Sequence, residues 1–235
     1  MPDLASTSVF LDFDGTVTLA DTGVQVLRSL GRPGWEQIDR DYREGRIGSR
    51  EVLIREWPLV AGGVDAARQV ARQVATDPGF GPLADALRDA GAEVTVISDG
   101  FGLTVEEVCE QIGVACLTNA VNEQGELVFP WQDRCCPCST CGVCKQAPIK
   151  EARRRGRTTV LVGDGVSDRK AALLADVIFA KDDLADWCDD AGVDYRPFAR
   201  LRDVHRALLG REPPEPREPP EPCEAAEPGE AAGTR

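Results

Sequence analysis

Apolar residues along the chain follow two different periods. Short β-branched runs at Ser8–Phe13, Glu93–Ile97, Thr158–Val162 and Asp176–Ala180 predict strands buried on both faces. Longer segments at Leu83–Ala90, Pro148–Arg155 and Lys170–Leu174 carry helical spacing. Strand alternating with helix predicts an α/β fold around a parallel sheet. Leu117–Val121 and Leu127–Phe129, separated by Asn122–Gly125, predict a β-hairpin. Between the first two strands, Val24–Leu30, Trp35–Glu44, Arg50–Trp57 and Val64–Val74 look helical, with breaks at Gly31–Gly34, Pro58 and Gly62–Gly63. That stretch is too long for a plain crossover helix and predicts an inserted helical cap. The chain therefore divides into a core of residues 1–16 and 80–210, a cap of residues 17–79, and a tail of residues 211–235. In the tail, seven prolines and seven glutamates, the latter at every third position from Glu212 to Glu230, predict disorder.

Composition narrows the function. With 27 Lys and Arg against 40 Asp and Glu, the 235-residue chain carries a formal charge of −13. Phosphate backbones and anionic lipid are repelled, so neither nucleic acid nor a membrane is an expected partner. The longest apolar runs are strand-sized, and Met1–Phe10 offers no basic residue ahead of its apolar stretch, so the expected location is cytoplasmic. Nine cysteines, an odd count, argue for reduced thiols or a metal rather than a disulfide framework. With His205 as the only histidine, mechanisms built on a His base or several His ligands have little to use.

The polar chemistry falls at strand ends. The first strand runs into Asp12-Phe13-Asp14-Gly15-Thr16, the second into Ser98-Asp99-Gly100, and the third into Gly163-Asp164-Gly165-Val166-Ser167-Asp168. Ligands of open parallel sheets bind beyond the carboxyl ends of the strands, where the strand order reverses, so the three segments converge. The carboxylates of Asp12, Asp14, Asp164 and Asp168 with the Ser98 hydroxyl suit a hard divalent cation, and Mg²⁺ suits phosphate-bearing substrates.

Asp-Phe-Asp-Gly-Thr-Val-Thr, a strand ending in Ser, a Lys, and then Gly-Asp-Gly-x-x-Asp resembles the haloacid dehalogenase superfamily of aspartate-based phosphohydrolases, over roughly Val9 to Ala180. The resemblance implies a Rossmann-like core and a Mg²⁺-dependent phosphomonoesterase acting on a small phosphorylated metabolite. Asp12 is the expected nucleophile and Asp14 the acid–base. Thr16, Ser98 and the Gly100 amide are the expected phosphoryl donors. The metal falls to Asp12, the Asp14 carbonyl, Asp164 and Asp168. The cationic residue is Lys145, which fits the family position better than the alternative, Lys150.

The cap follows the first motif directly, as in the branch that contains phosphoserine phosphatase. That placement implies substrate contacts from Asp21, nine positions beyond Asp12, and from Arg55 late in the cap. The competing reading makes Asp21 a helix cap and Arg55 a solvated surface residue. Cys141-Gly142-Val143-Cys144-Lys145 resembles a signature of two related groups. One acts in methionine salvage on 2-hydroxy-3-keto-5-methylthiopentenyl-1-phosphate; the other comprises phosphoethanolamine/phosphocholine phosphatases and their pyridoxal-phosphate-cleaving neighbours. Trp35, Gly45, Ile47, Glu51 and Arg55 look closer to the salvage group. Cys135, Cys138, Cys141 and Cys144, spaced by three, form a candidate Zn²⁺ site. A reading from another class makes the chain a metal- or redox-sensing protein on a phosphatase scaffold.

Overall fold

A computed structural model describes residues 3–131 and 140–213. Six parallel strands form the main sheet in the order β3-β2-β1-β6-β7-β8: β1 (Thr7–Asp12), β2 (Glu93–Ile97), β3 (Ala115–Leu117), β6 (Thr158–Gly163), β7 (Val177–Ala180) and β8 (Arg196–Pro197). The chain builds outward from β1 on one side and returns to build outward on the other, so the order reverses between β1 and β6. A ligand crevice opens at such a reversal.

Helices cover both faces, which is why β1 is buried along its whole length. Val9 and Leu11 point to one face, packing with α5 (Phe80–Asp89), α6 (Val105–Ile112) and α10 (Leu201–Leu209) through Phe80, Leu83, Leu87, Leu201 and Val204. Phe10 points to the other, toward α7 (Gln146–Arg154), α8 (Arg169–Ala172) and α9 (Asp182–Ala191) through Ile149, Ala172, Leu184 and Cys188. The alternation follows from the two-residue period of a strand.

Between β1 and α5 lie four helices, α1 (Thr22–Leu30), α2 (Trp35–Arg43), α3 (Ser49–Glu56) and α4 (Gly63–Ala71). The chain enters and leaves this group side by side: Leu19 N–H donates to Ala75 O (2.8 Å) and Asp77 N–H to Val17 O (2.8 Å). The buried Asp77 then ties the return to the core, accepting from the amides of Gly79 and Leu201. The helices share a separate apolar cluster of Val26, Leu27, Leu53, Ala67 and Ala71 with Phe101, Leu103 and Val121.

The hairpin is smaller than the sequence predicts. It pairs β4 (Ala120–Val121) with β5 (Leu127–Val128), while Leu117 ends β3, a parallel edge strand beside β2. The run Leu117–Val121 is thus split between two sheets at the polar pair Thr118–Asn119. The structure adds α6, α9, α10, β3 and β8, of which β3 and β8 are only two or three residues long and α6 and α9 are rich in acidic residues. Among the described residues, no helix is long and apolar enough to cross a membrane. Of the tail, Arg211–Pro213 is described: Glu212 pairs with Arg206, and the Arg211 carbonyl lies 3.1 Å from His205 Nδ1. The remainder lies outside the described residues.

Candidate active site

The β1 strand delivers Asp12 to the carboxyl edge of the sheet, and the chain then makes one wide turn over Phe13–Val17. Gly15 takes φ +80° there, and a Cβ would lie 2.3 Å from Asp164 Oδ2, so only glycine lets the turn press against the end of β6. Three segments meet as a result. Oxygens of Asp12, Asp164 and Asp168 lie within 4.8 Å of one another.

Lys145, the residue that caps the N-terminus of α7, sits among them. Its Nζ is 2.7 Å from Asp12 Oδ1 and 2.8 Å from Asp168 Oδ1, and it is 4% exposed. Burial opposes its charge, yet Asp12 and Asp168 outweigh burial and hold its pKa well above the ordinary value. Lys150 is exposed on α7, so the two lysines are separated by geometry. Asp12 Oδ1 also accepts from the Phe13 amide at 2.7 Å. Burial, reinforced by Asp168, raises the Asp12 carboxyl well above its usual range, and the same causes raise Asp164 to about 7. Three carboxylates with one ammonium leave excess negative charge on oxygen donors only. A hard divalent cation such as Mg²⁺ fits that donor set.

Asp14 faces elsewhere. Its Oδ1 accepts from the amide (2.9 Å) and hydroxyl (2.5 Å) of Thr22, and its Oδ2 from Ser98 Oγ at 3.2 Å. Ser98 Oγ in turn accepts from the Gly100 amide at 3.3 Å. Thr16 is buried with its hydroxyl 2.5 Å from Asp164 Oδ1, so in this arrangement it steadies Asp164 rather than facing open space. Asp168 also accepts from the Gly165 amide.

A cavity of about 450 Å³ opens between this cluster and α1–α3. Asp12, Asp14, Gly100 and Asp164 form its floor, with Asp21 and Glu56 higher up. Asp21 caps α1 by accepting from the Val24 amide at 2.8 Å and also lines the cavity. Arg55 does not line it. That side chain is exposed and pairs with Glu51 at 3.3 Å. The spacing of α3 explains why: Ser49, Val52, Leu53 and Glu56 occupy the buried face, and Arg55 lies a third of a turn away. Thr22, Glu56 and Asp99 were missed by the sequence reading. The apolar spacing of α3, read residue by residue, would have favoured Glu56 over Arg55.

Of the four spaced thiols, Cys141 and Cys144 are described, the latter buried, while Cys135 and Cys138 lie outside the described residues. The Zn²⁺ expectation finds no support here; among the described residues, the metal-compatible cluster is the carboxylate one. Gly142 has a packing reason, since a Cβ would sit 2.7 Å from Asn119 Nδ2 and 2.8 Å from Asp99 Oδ1. Asp99 accepts from the Val143 amide at 2.7 Å, which fixes the chain two residues before Lys145.

Comparison with known proteins identifies a family and relatives. Residues 9–173 match the family model of the haloacid dehalogenase-like hydrolases. A protein of Brevibacillus brevis named 2-hydroxy-3-keto-5-methylthiopentenyl-1-phosphate phosphatase is 26% identical over 208 residues, 85% of this chain and 94% of its own. One of the same name from Geobacillus kaustophilus is 28% identical, over 87% of this chain and 96% of its own. Among solved structures, a phospho-aspartyl intermediate analogue of phosphoserine phosphatase superposes with a TM-score of 0.66 at 20% identity, covering 86% of this chain and 99% of that one. The chain belongs to the haloacid dehalogenase-like hydrolase family.

Proposed function

We propose that this hydrolase cleaves a small phosphomonoester through a phosphorylated Asp12. The observation that carries the reading is Asp12 itself, fixed at a strand end by Lys145 and the Phe13 amide while Asp14 stands apart on its own bonds. Both bonds to Asp12 fall on Oδ1, which leaves Oδ2 for phosphorus. Oδ2 attacks, the bond from phosphorus to the ester oxygen breaks, and Asp14 gives its proton to the departing alkoxide. Asp14 then takes a proton from water, whose oxygen attacks the phosphorus, and the bond to Asp12 breaks to release phosphate. Thr22 holds Asp14 in place for both transfers through its amide and hydroxyl, and the single Ser98 hydroxyl proton turns from Asp14 to the phosphoryl group. Ser98 and the Gly100 amide are the proposed phosphoryl donors, and Lys145 balances charge on Asp12 and the transferred group. Asp12, Asp164, Asp168 and the Asp14 carbonyl would hold Mg²⁺. When bound, the ion supplies positive charge against the phosphoryl oxygens.

The proposed substrate is 2-hydroxy-3-keto-5-methylthiopentenyl-1-phosphate or a compound like it, supported by the names of relatives matched along most of their length. We assign residues 17–79 the role of a cap that selects the organic arm. Phosphate release with Mg²⁺ would be measured on that ester, phosphoserine, phosphoethanolamine, phosphocholine and pyridoxal phosphate. The methylthiopentenyl ester should give the highest kcat/KM, and preference for another ester would replace the substrate while keeping the chemistry.

A further inference from the structure

The upper cavity carries a side chain that the phosphoryl chemistry does not use. Glu56 ends α3, is 5% exposed, and lines the cavity beside Ser49, Val52 and Leu53. Among the described residues, no hydrogen bond or ion pair reaches its carboxyl group. The charged groups facing it are acidic: Asp39 from α2 and Asp21 at the start of α1. Those two have partners, since Asp39 accepts from Arg43 at 3.0 Å and Asp21 from the Val24 amide. Arg43 is committed also to Asp183, and Arg28 lies exposed at the cavity edge. Val24, Leu27, Trp35, Val52, Leu53 and Phe101 give the same cavity an apolar part.

We infer that Glu56 is a specificity-determining residue that admits phosphoesters with an uncharged organic arm and turns away those whose arm ends in a carboxylate. The inference deepens the phosphatase reading above and rests on it. An anionic group placed here would meet the acidic side chains of Asp21, Asp39 and, once ionised, Glu56, and like charges repel. An uncharged arm instead buries its apolar part against Leu27, Trp35 and Phe101. Burial, with Asp39 and Asp21 adding to it, raises Glu56 to about 8, so near neutrality it carries a proton that it can donate to a hydroxyl or carbonyl oxygen of the arm, and above about pH 8 its charge joins those of Asp21 and Asp39 in repelling an anion. Asp21 and Asp39 contribute to the same exclusion from the facing helices.

The test uses three matched esters: 3-(methylthio)propyl phosphate, 3-carboxypropyl phosphate and 3-aminopropyl phosphate. Release of phosphate from p-nitrophenyl phosphate runs alongside as a measure of the phosphoryl machinery. Wild type should favour the thioether over the carboxylate by about tenfold or more in kcat/KM, mostly through KM. At pH 9, where Glu56 is ionised, Glu56→Gln should narrow that ratio several-fold by improving the carboxylate ester. Asp39→Asn should act in the same direction, which guards against a folding defect in either variant alone. If p-nitrophenyl phosphate is turned over but the three esters are equal, or the amine or the carboxylate is preferred, the inference falls and the phosphatase reading stands. If wild type releases phosphate from none of the four, both fall together.

Discussion

Ser49 at the start of α3 donates its hydroxyl to Asp99 Oδ2 at 2.5 Å, while Asp99 Oδ1 accepts from the Val143 amide at 2.7 Å. One carboxylate thus joins the helical insertion, the end of β2 and the segment that delivers Lys145. Burial raises Asp99 to about 6 against the lowering effect of the bonds from Ser49 and Val143.

Asp99→Ala is therefore expected to lower both stability and kcat. It leaves the Val143 amide and Ser49 hydroxyl without their acceptor, a loss of about 1–3 kcal/mol measured by denaturant unfolding. Ser49→Ala, which frees only the helix side, should cost about 1 kcal/mol and affect KM more than kcat.

Thr22→Val tests the support of Asp14. The substitution removes the hydroxyl bond to Asp14 Oδ1 and keeps the shape and the amide bond. A misplaced acid–base should lower kcat by roughly tenfold to a hundredfold for esters with poor leaving groups. For p-nitrophenyl phosphate, whose leaving group needs no proton, the first step should change little.

Glu56 makes a pH-dependent contribution to stability whose sign is fixed. Its carboxyl stands at about 8 in the folded protein against an ordinary 4.5, so between those values the native state binds the extra proton. Stability tied to this group is present below about pH 4.5 and declines as pH rises through about 8. Glu56→Gln removes the decline. Thermal unfolding should show the variant gaining on wild type by on the order of 1–3 kcal/mol near pH 8.5 and by little near pH 5.

Metal binding should be visible in unfolding as well as in activity. Protons compete with a cation for Asp12 and Asp164, both raised by burial and by Asp168. Added Mg²⁺ should therefore raise Tm more at pH 8 than at pH 5. At a hundred times its Kd, the gain is about 2.7 kcal/mol. Asp164→Asn should erase most of that gain while the variant remains folded.

The residues at the strand ends were legible because strand identity, turn chemistry and carboxylate spacing all point to one place, and β1, β2 and β6 fell within a residue of their expected bounds. Lys145 was legible from its position ahead of a helix, while its pairing with both Asp12 and Asp168 needed the fold. The upper cavity was harder to read. Arg55 was expected at the site from its family position late in the cap, yet the phase of α3 turns the neighbouring Glu56 inward. Thr22 and Asp99 act across elements that are distant in sequence, on Asp14 and on Ser49 and Val143, and no local pattern marks such partners.

The central claim is that phosphate passes through Asp12. Asp14→Asn should transfer phosphate from p-nitrophenyl phosphate to the protein but hydrolyse the product slowly, so intact mass spectrometry after rapid acid quench would detect a phosphorylated chain. The account predicts that this species maps to Asp12 and is absent from the Asp12→Asn/Asp14→Asn double variant. It also predicts that Asp12→Asn alone loses turnover by roughly 10³-fold or more. A phosphorylated protein that persists without Asp12, or near-normal turnover by Asp12→Asn, would contradict it.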